Sequence, residues 1–339
     1  MAMIPLSILD LCPINEGGSA TESIANTVDL ARQADRCGFT RYWMAEHHGM
    51  PGIASAATSV LIGHVAGATS RIRVGAGGIM LPNHSPLQIA EQFGTLDAMY
   101  PGRIDLGLGR APGSDQVTSR ALRRSLGTDP EEFPRDVMEL MAYFEGNGPV
   151  RAVPGEGHAV PIWILGSSLF GAQLAAMLGL PYAFASHFAP AQMLDAIAVY
   201  RARFRPSRHL DKPYVMLGFN VAAADTDAEA RYLASSWQQS FVNLRTGRPG
   251  RLPPPVEGYL ESLPQQSRML LDQVLSCSAI GSPGTVADGI RAFVENTSAD
   301  ELMLTSNMHD HAARRHSFEI VAGLIAGCLP RQGSEDCSG

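Results

Sequence analysis

The 339-residue chain predicts an α/β fold of the (β/α)8 TIM-barrel class. Three observations carry that expectation. Short apolar, β-branched runs alternate with longer stretches of helical period. Eight such runs occur between residues 4 and 305. Most connections hold a dozen or more residues, which suits parallel crossovers and not hairpins.

The elements follow in order. Residues 4–11 form the first strand. The helix at 21–37 places Ile24, Val28, Ala31 and Ala34 on one stripe, and Gly38 ends it as a C-cap. Strand 40–45 leads to a helix between Ser55 and Thr69, where Ser55, Ser59, Gly63 and Gly67 recur at i+4. Strand 72–76 precedes a helix at 86–100, which opens on Pro86 and stops before Pro101-Gly102. Strand 104–108 is followed by an interval, 110–161, too long for a simple connection. Strand 162–165, helix 168–178, strand 182–185, helix 190–204 and strand 214–222 continue the rhythm. A second long interval, 244–276, contains Arg248-Pro249-Gly250-Arg251-Leu252-Pro253-Pro254-Pro255. So much proline and glycine precludes regular structure there. It is either a disordered insertion or an active-site lid at about 245–276, between the seventh and eighth strands. Helix 285–296, strand 301–305 and helix 312–328 close one barrel domain spanning 1–328, with 329–339 as a disordered tail.

Composition excludes several classes. Apolar residues make up 45%, enough for a large core, and charged residues only 17% against the ~25% usual for soluble domains. A net charge of −7 without a basic tract argues against a nucleic-acid partner. Cysteines at 12, 37, 277, 328 and 337 form no C-x-x-C pair, which suits a reducing cytoplasm. The N-terminus has no basic n-region or cleavage site, and no apolar run reaches the ~18–20 residues that span a bilayer. Low charge and the small-residue stripe at 55–67 predict a homodimer.

Barrel chemistry sits at the C-terminal ends of strands. Strand four ends in Gly107-Leu108-Gly109-Arg110. The glycines suit close approach of a flat ligand; Arg110 suits a phosphate, or a structural carboxylate pair. Gly166-Ser167-Ser168 opens a helix and reads as an anion site or a plain N-cap. Adjacent His47 and His48 end strand two, and in an extended segment only one faces the pocket. A pocket-facing histidine there is a candidate general acid or base. His47, His187 and His309 could meet above a barrel, but the pattern does not favour a metal, and none is expected.

Together these residues resemble the bacterial luciferase-like flavin-dependent oxidoreductases. The resemblance runs from Ile4 to Cys328. Its carriers are Gly38-Phe39-Thr40-Arg41-Tyr42-Trp43-Met44-Ala45-Glu46-His47-His48, the run from Arg71 through Gly77-Gly78 to Pro82, and His84-Ser85-Pro86. Glu91, Leu96-Asp97, Pro101-Gly102-Arg103-Ile104, Gly107-Leu108-Gly109-Arg110 and Gly281-Ser282-Pro283-Gly284-Thr285-Val286 complete it. The resemblance implies a barrel binding reduced FMN at its C-terminal end, with His47 catalytic and a non-proline cis peptide at Gly77-Gly78 under the flavin. It assigns the phosphate to Arg110 and to Ser168, the serine at the start of the fifth helix. Ser167 joins them as a cofactor-binding candidate through the anion site read at Gly166-Ser167-Ser168. Luciferase has a glutamate where this chain has Ser167, which does not favour light emission. The implied activity is a monooxygenase using FMNH2 and O2 on a small organic substrate, such as a natural-product intermediate. A separate NAD(P)H-dependent flavin reductase would supply the reduced flavin. The alternatives are a deazaflavin-dependent oxidoreductase and a non-catalytic flavin-binding protein on the same barrel.

Overall fold

The structure, a computed structural model, describes residues 4–110, 118, 121–122 and 132–326. The expected tail at 329–339 and residues 111–117, 119–120 and 123–131 of the 110–161 interval lie outside the described residues. Nine parallel strands form the sheet: β1 (Leu6–Asp10), β2 (Arg41–Met44), β3 (Arg73–Met80), β4 (Ile104–Gly109), β5 (Ile162–Gly166), β6 (Tyr182–Phe184), β7 (Val215–Ala223), β8 (Ser278–Gly281) and β9 (Glu301–Thr305). Strands β1 to β7 pair in sequence order, β7 pairs β9, and β9 returns to β1. Eight strands therefore close a barrel, as the alternation predicted. β8 lies outside that ring, on the C-terminal residues Asn220 to Ala223 of β7. Four residues ending in glycine gave no strand signal, and β7 outlasts its barrel neighbours by enough to recruit them.

The surrounding helices are α1 (Ala20–Cys37), α2 (Thr58–Ala68), α3 (Pro86–Met99), α4 (Phe133–Phe144), α5 (Leu169–Leu178), α6 (Met193–Arg203), α7 (Asp227–Arg245), α8 (Tyr259–Ser262), α9 (Gln265–Leu275), α10 (Pro283–Thr297) and α11 (His311–Ala326). Ser19 caps α1, accepting from the Glu22 amide at 3.2 Å, and Gly38 ends it at φ 83°. α7 was not expected. Its start was legible as a capping box: Thr226 precedes Glu229 by three residues and accepts from its amide at 3.2 Å. The interval after α7 is not wholly irregular, because α8 and α9 follow the proline-rich strap at 248–256.

Strand alternation sorts the core into two layers. Ile8, Tyr42, Val74, Ile104 and Leu304 face the helices. Leu9, Trp43, Trp163, Met216 and Met303 fill the barrel. A charged layer floors that interior at the N-terminal ends of the strands. Arg41 reaches Asp105 at 2.7 Å and Glu301 at 3.0 Å, and Arg73 shares Asp105 at 2.7 Å. Burial pushes the Glu301 carboxyl above its ordinary value, partly opposed by Arg41.

The small-residue stripe of α2 is used inside the chain. A Cβ at Gly63 would stand 3.3 Å from Leu96 and one at Gly67 2.9 Å from the Tyr100 hydroxyl. Ser55 Oγ donates to the Leu11 carbonyl at 3.0 Å. These residues pack α2 on the wall and on α3, so they lend no support to a homodimer.

Candidate active site

The C-terminal ends of β3, β4 and β5 bring the expected cofactor residues to one side of the mouth. β3 runs on to Met80, past its expected end at 76, through a register shift against β4 between Ala76 and Ile79. The cis peptide Gly77-Gly78 lies in that shift. The glycines there are demanded first by strand packing. A Cβ at Gly78 would sit 2.5 Å from the Gly107 carbonyl oxygen, and one at Gly107 2.3 Å from that of Ala76. Gly109 differs: a Cβ there would meet only Ile79 O, at 3.8 Å. Of the expected glycine floor, Gly109 is the position with open space beside it.

Arg110 follows Gly109 directly. Its guanidinium lies over the Phe170 ring, 4.2 Å from the centroid. Phe170 is in the first turn of α5, whose N-cap is Ser168. The Ser168 side chain makes no capping bond, and Ser167 before it is exposed. Arginine, two serines and free first-turn amides thus meet at one helix N-terminus. That donor set fits a phosphate group: the fork binds bidentately, and the helix end favours negative charge.

His47 is half-buried just beyond β2. The strand ends at Met44, so the alternation expected of an extended chain does not govern the histidine pair. His48 turns to a buried carboxylate. Its Nε2 lies 2.7 Å from Glu46 Oε1, and His84 Nε2 reaches the same oxygen at 2.8 Å. The Met80 amide donates to Glu46 Oε2 at 3.0 Å. Glu46 is almost wholly buried; burial raises its pKa, but the bonds from His84, His48 and Met80 hold it below the usual carboxylate range. An ionised carboxylate only accepts, so both histidines carry their proton on Nε2. The three ligand atoms lie within 4.8 Å of one another, close enough to hold a cation; hydrogen bonding to one carboxylate accounts for their convergence. Sequence reasoning noted Glu46 and His84 but did not join them. Neither His187 nor His309 belongs to this group.

A proline-rich strap crosses the mouth. The Leu252 amide donates to Ile14 O at 2.9 Å, and the Glu16 amide to Leu252 O at 2.8 Å, fixing the strap to the loop after β1. Gln239 Nε2 donates to Pro254 O at 2.9 Å, and the Val256 amide to Ser235 Oγ at 2.7 Å, fixing it to α7. A cavity of about 820 Å³ lies at the other end of the barrel, lined by Arg41, Arg73, Met141, Phe144, Trp163 and Tyr214. Its arginines are already paired with carboxylates, and barrel chemistry belongs to the C-terminal face, so the mouth is the candidate site.

The family model for luciferase-like monooxygenases matches residues 4–301. The chain belongs to the luciferase-like monooxygenase family. It is 53% identical over 321 residues to a luciferase-like monooxygenase of Escherichia coli K12, covering 94% of this chain and 96% of that one. It is 35% identical over 334 residues to the N-acetyl-S-alkylcysteine monooxygenase of Bacillus subtilis, covering 95% and 98%. Among solved structures, apo-MsnO8 superposes with a TM-score of 0.85 at 34% identity, covering 97% of this chain and all of that one. Two more distant luciferase-like barrels share the fold alone. The oxygenating constituent of a Pseudomonas putida 3,6-diketocamphane monooxygenase, in complex with FMN, has a TM-score of 0.71 at 20% identity. An F420-dependent secondary alcohol dehydrogenase has 0.69 at 15%. Flavin and deazaflavin cofactors therefore both occur on this barrel. No helix among the described residues is long and apolar enough to cross a membrane.

Proposed function

We propose that this luciferase-like monooxygenase uses reduced FMN and O2 to oxygenate a small organic molecule. The observation that carries the reading is Arg110 stacked on Phe170 at the uncapped start of α5. When bound, reduced FMN supplies the two electrons that, with O2, leave one oxygen on the substrate and the other in water.

The chain's own residues do the rest. Arg110, Ser167, Ser168 and the first amides of α5 hold the phosphate. Gly77 and Gly78 form the close-packed floor for the ring, and Gly109 keeps a side chain out of the open space beside it. His47 moves a proton at an imidazole nitrogen, and the strap excludes water. The described residues build one barrel within the 1–328 domain and no second nucleotide-binding unit. A separate NAD(P)H-dependent reductase therefore delivers the reduced flavin. The low charge content still supports a homodimer, on a surface other than the α2 stripe, and the cysteine pattern supports the cytoplasm; sedimentation at micromolar concentration checks the dimer.

Anaerobic titration with FMNH2, FADH2 and reduced F420 tests the cofactor. FMNH2 binds tightest, and Arg110→Ala loses about 10–100-fold of that affinity, the equivalent of one charge-assisted bond. Tighter binding of reduced F420 overturns the reading in favour of hydride transfer without O2. FMN binding with no O2-dependent product on any substrate leaves a flavin-binding protein.

A further inference from the structure

Nine buried side-chain nitrogen and oxygen atoms among the described residues have no hydrogen-bond partner. One is Trp163 Nε1, near the barrel floor. The other eight belong to His187, Ser236, Gln238, Thr305, Ser306, Asn307 and His309. Buried polar atoms are almost always satisfied, and an orphan calls for a cause such as a ligand or a water. Chance orphans would scatter. Five of these eight atoms gather at the ends of β6 and β9, and the other three lie on α7.

Neighbouring contacts place them together. Asn220 and Thr305 are register partners on β7 and β9, two residues above the interior pair Gly218 and Met303. Asn220 Nδ2 donates to the His187 carbonyl at 2.8 Å. The His187 ring occupies the space beside Gly218, where a Cβ would stand 2.0 Å from its Nδ1. Phe241 of α7 packs on Phe188, with ring centroids 5.9 Å apart. Trp237 and Phe241 share a cluster with Met308, the residue after Asn307. Gln238 follows Trp237 directly on α7, between the Trp237–Phe241 contact and the ties of the strap at Ser235 and Gln239. It is 1% exposed, and neither of its amide atoms is bonded.

The chemistry of the set is uniform. It offers two carboxamides, three hydroxyls and two imidazoles, and no carboxylate, lysine or arginine. Burial holds His187 neutral, at about 4. Arg314, beside Ser306, is committed to Asp10 at 2.9 Å and to the Ser306 carbonyl at 2.6 Å. The cation beside this quarter, Arg245, is exposed, donates to the Phe188 carbonyl at 2.9 Å and lies over the Phe188 and Phe241 rings, so a sulfonate or carboxylate buried among the orphaned atoms would have to draw it from those contacts. A neutral secondary amide would match: its N–H meets the Asn307 Oδ1 acceptor, and its carbonyl meets the Gln238 Nε2 or Thr305 hydroxyl donor.

We propose that this β6–β7–β9 quarter, covered by α7 and the strap, is the binding pocket for a neutral amide of the organic substrate, with Gln238, Thr305 and Asn307 as its polar contacts. The assignment rests on the monooxygenase reading, which puts the flavin on the opposite, β3–β5 side and leaves this side for the second reactant. The strap closes the pocket from solvent. Its two ties to α7, at Ser235 and Gln239, flank Gln238, so releasing them opens the way in.

The test is calorimetric and needs no turnover. The full chain with FMN is titrated with N-acetyl-S-methylcysteine methylamide and, in parallel, with octanesulfonate. Gln238→Leu and Thr305→Val keep side-chain shape and remove the bonding atoms. The amide binds at least tenfold tighter than the sulfonate, and each variant weakens it about 3- to 10-fold. FMN affinity stays unchanged, and the melting temperature stays level or rises, because an unpaired buried polar group has gone. Absence of amide binding, equal binding of the sulfonate, or variants that retain full amide affinity overturns the proposal. In the last case the orphans serve bound water only. A chain that binds the amide but never oxygenates with FMNH2 and O2 overturns the monooxygenase reading instead.

Discussion

Glu46 and His84, 38 residues apart, meet at 2.8 Å between Oε1 and Nε2, and His48 closes on the same oxygen at 2.7 Å. The other oxygen of that carboxylate takes the Met80 amide at 3.0 Å. One buried side chain thus ties the end of β2, which carries His47, to the end of β3, which carries Gly77-Gly78. The link is electrostatic as well as geometric, because both imidazoles donate to an ionised acceptor.

Glu46→Gln tests that tie. Glutamine keeps the shape but presents one acceptor and one donor, so it cannot accept from two histidines and the Met80 amide together. We expect a loss of about 1–3 kcal/mol in urea unfolding. The pH dependence has a definite sign. A carboxyl held below its unfolded value near 4.5 stabilises the fold above that pH and stops doing so as pH falls through the folded value. Melts from pH 7 to 3 should be less steep for Glu46→Gln than for the natural chain. Parallel curves would show that Glu46 does not couple to folding.

Gly107 and Gly109 sit two residues apart on β4 and should fail differently. A Cβ at Gly107 would lie 2.3 Å from the Ala76 oxygen and 2.7 Å from Leu165. Gly107→Ala therefore costs roughly 1–3 kcal/mol by overpacking, with or without cofactor. Gly109→Ala meets only Ile79 O at 3.8 Å. It should leave cofactor-free melting intact and weaken FMN binding. Equal melting loss in both variants would place Gly109 in packing, not in the cofactor site.

His187 gives an acid-side signature of its own. Burial lowers its pKa to about 4, against 6.5 for the free side chain. The unfolded chain therefore takes up a proton near pH 6.5, while the folded chain resists until about 4. Between those values the unfolded state binds more protons, so stability falls as pH falls. The loss by pH 4 amounts to about 3 kcal/mol. His187→Asn removes the titrating group and should flatten this part of the curve. An NMR titration of the His187 ring near 6.5 would contradict the burial that produces the shift.

The barrel was legible because its strands are apolar, β-branched and separated by crossover lengths that only parallel pairing uses. β8 was not, because Ser278–Gly281 becomes a strand only by adding to the overhang of β7. Arg110 and Ser168 were legible as two anion-suited groups on neighbouring strand ends; the Phe170 ring between them was not, because nothing in the sequence says which side chain an arginine lies over. The orphan set at Gln238, Thr305 and Asn307 left no trace in the sequence. No motif marks a polar side chain whose partner is absent, and α7, which covers them, begins in a capping box read only in retrospect. The α2 glycines were ambiguous for a related reason: a small-residue stripe announces close approach without saying to what, and here the neighbour within the chain is α3.

The last prediction separates His47 from His48. His48 is bonded to a buried carboxylate at 2.7 Å, so His48→Ala removes a charge-assisted bond and leaves Glu46 with fewer donors. It should lower stability by about 1.5–3 kcal/mol. His47 lies one residue nearer β2 and is half-buried. His47→Ala should leave the melting temperature and FMN affinity close to those of the natural chain. A positioned acid or base is typically worth 10²–10⁴-fold, so single-turnover product yield should fall by a factor of that order while flavin binding persists. Paired melts and single-turnover assays on both variants decide between the two rings. If His47→Ala stays active while His48→Ala loses turnover without melting earlier, the acid–base role passes to His48, with Glu46 orienting it through Nε2. If both variants turn over at the natural rate, no histidine after β2 carries the proton, and placing the two reactants against each other must supply the acceleration.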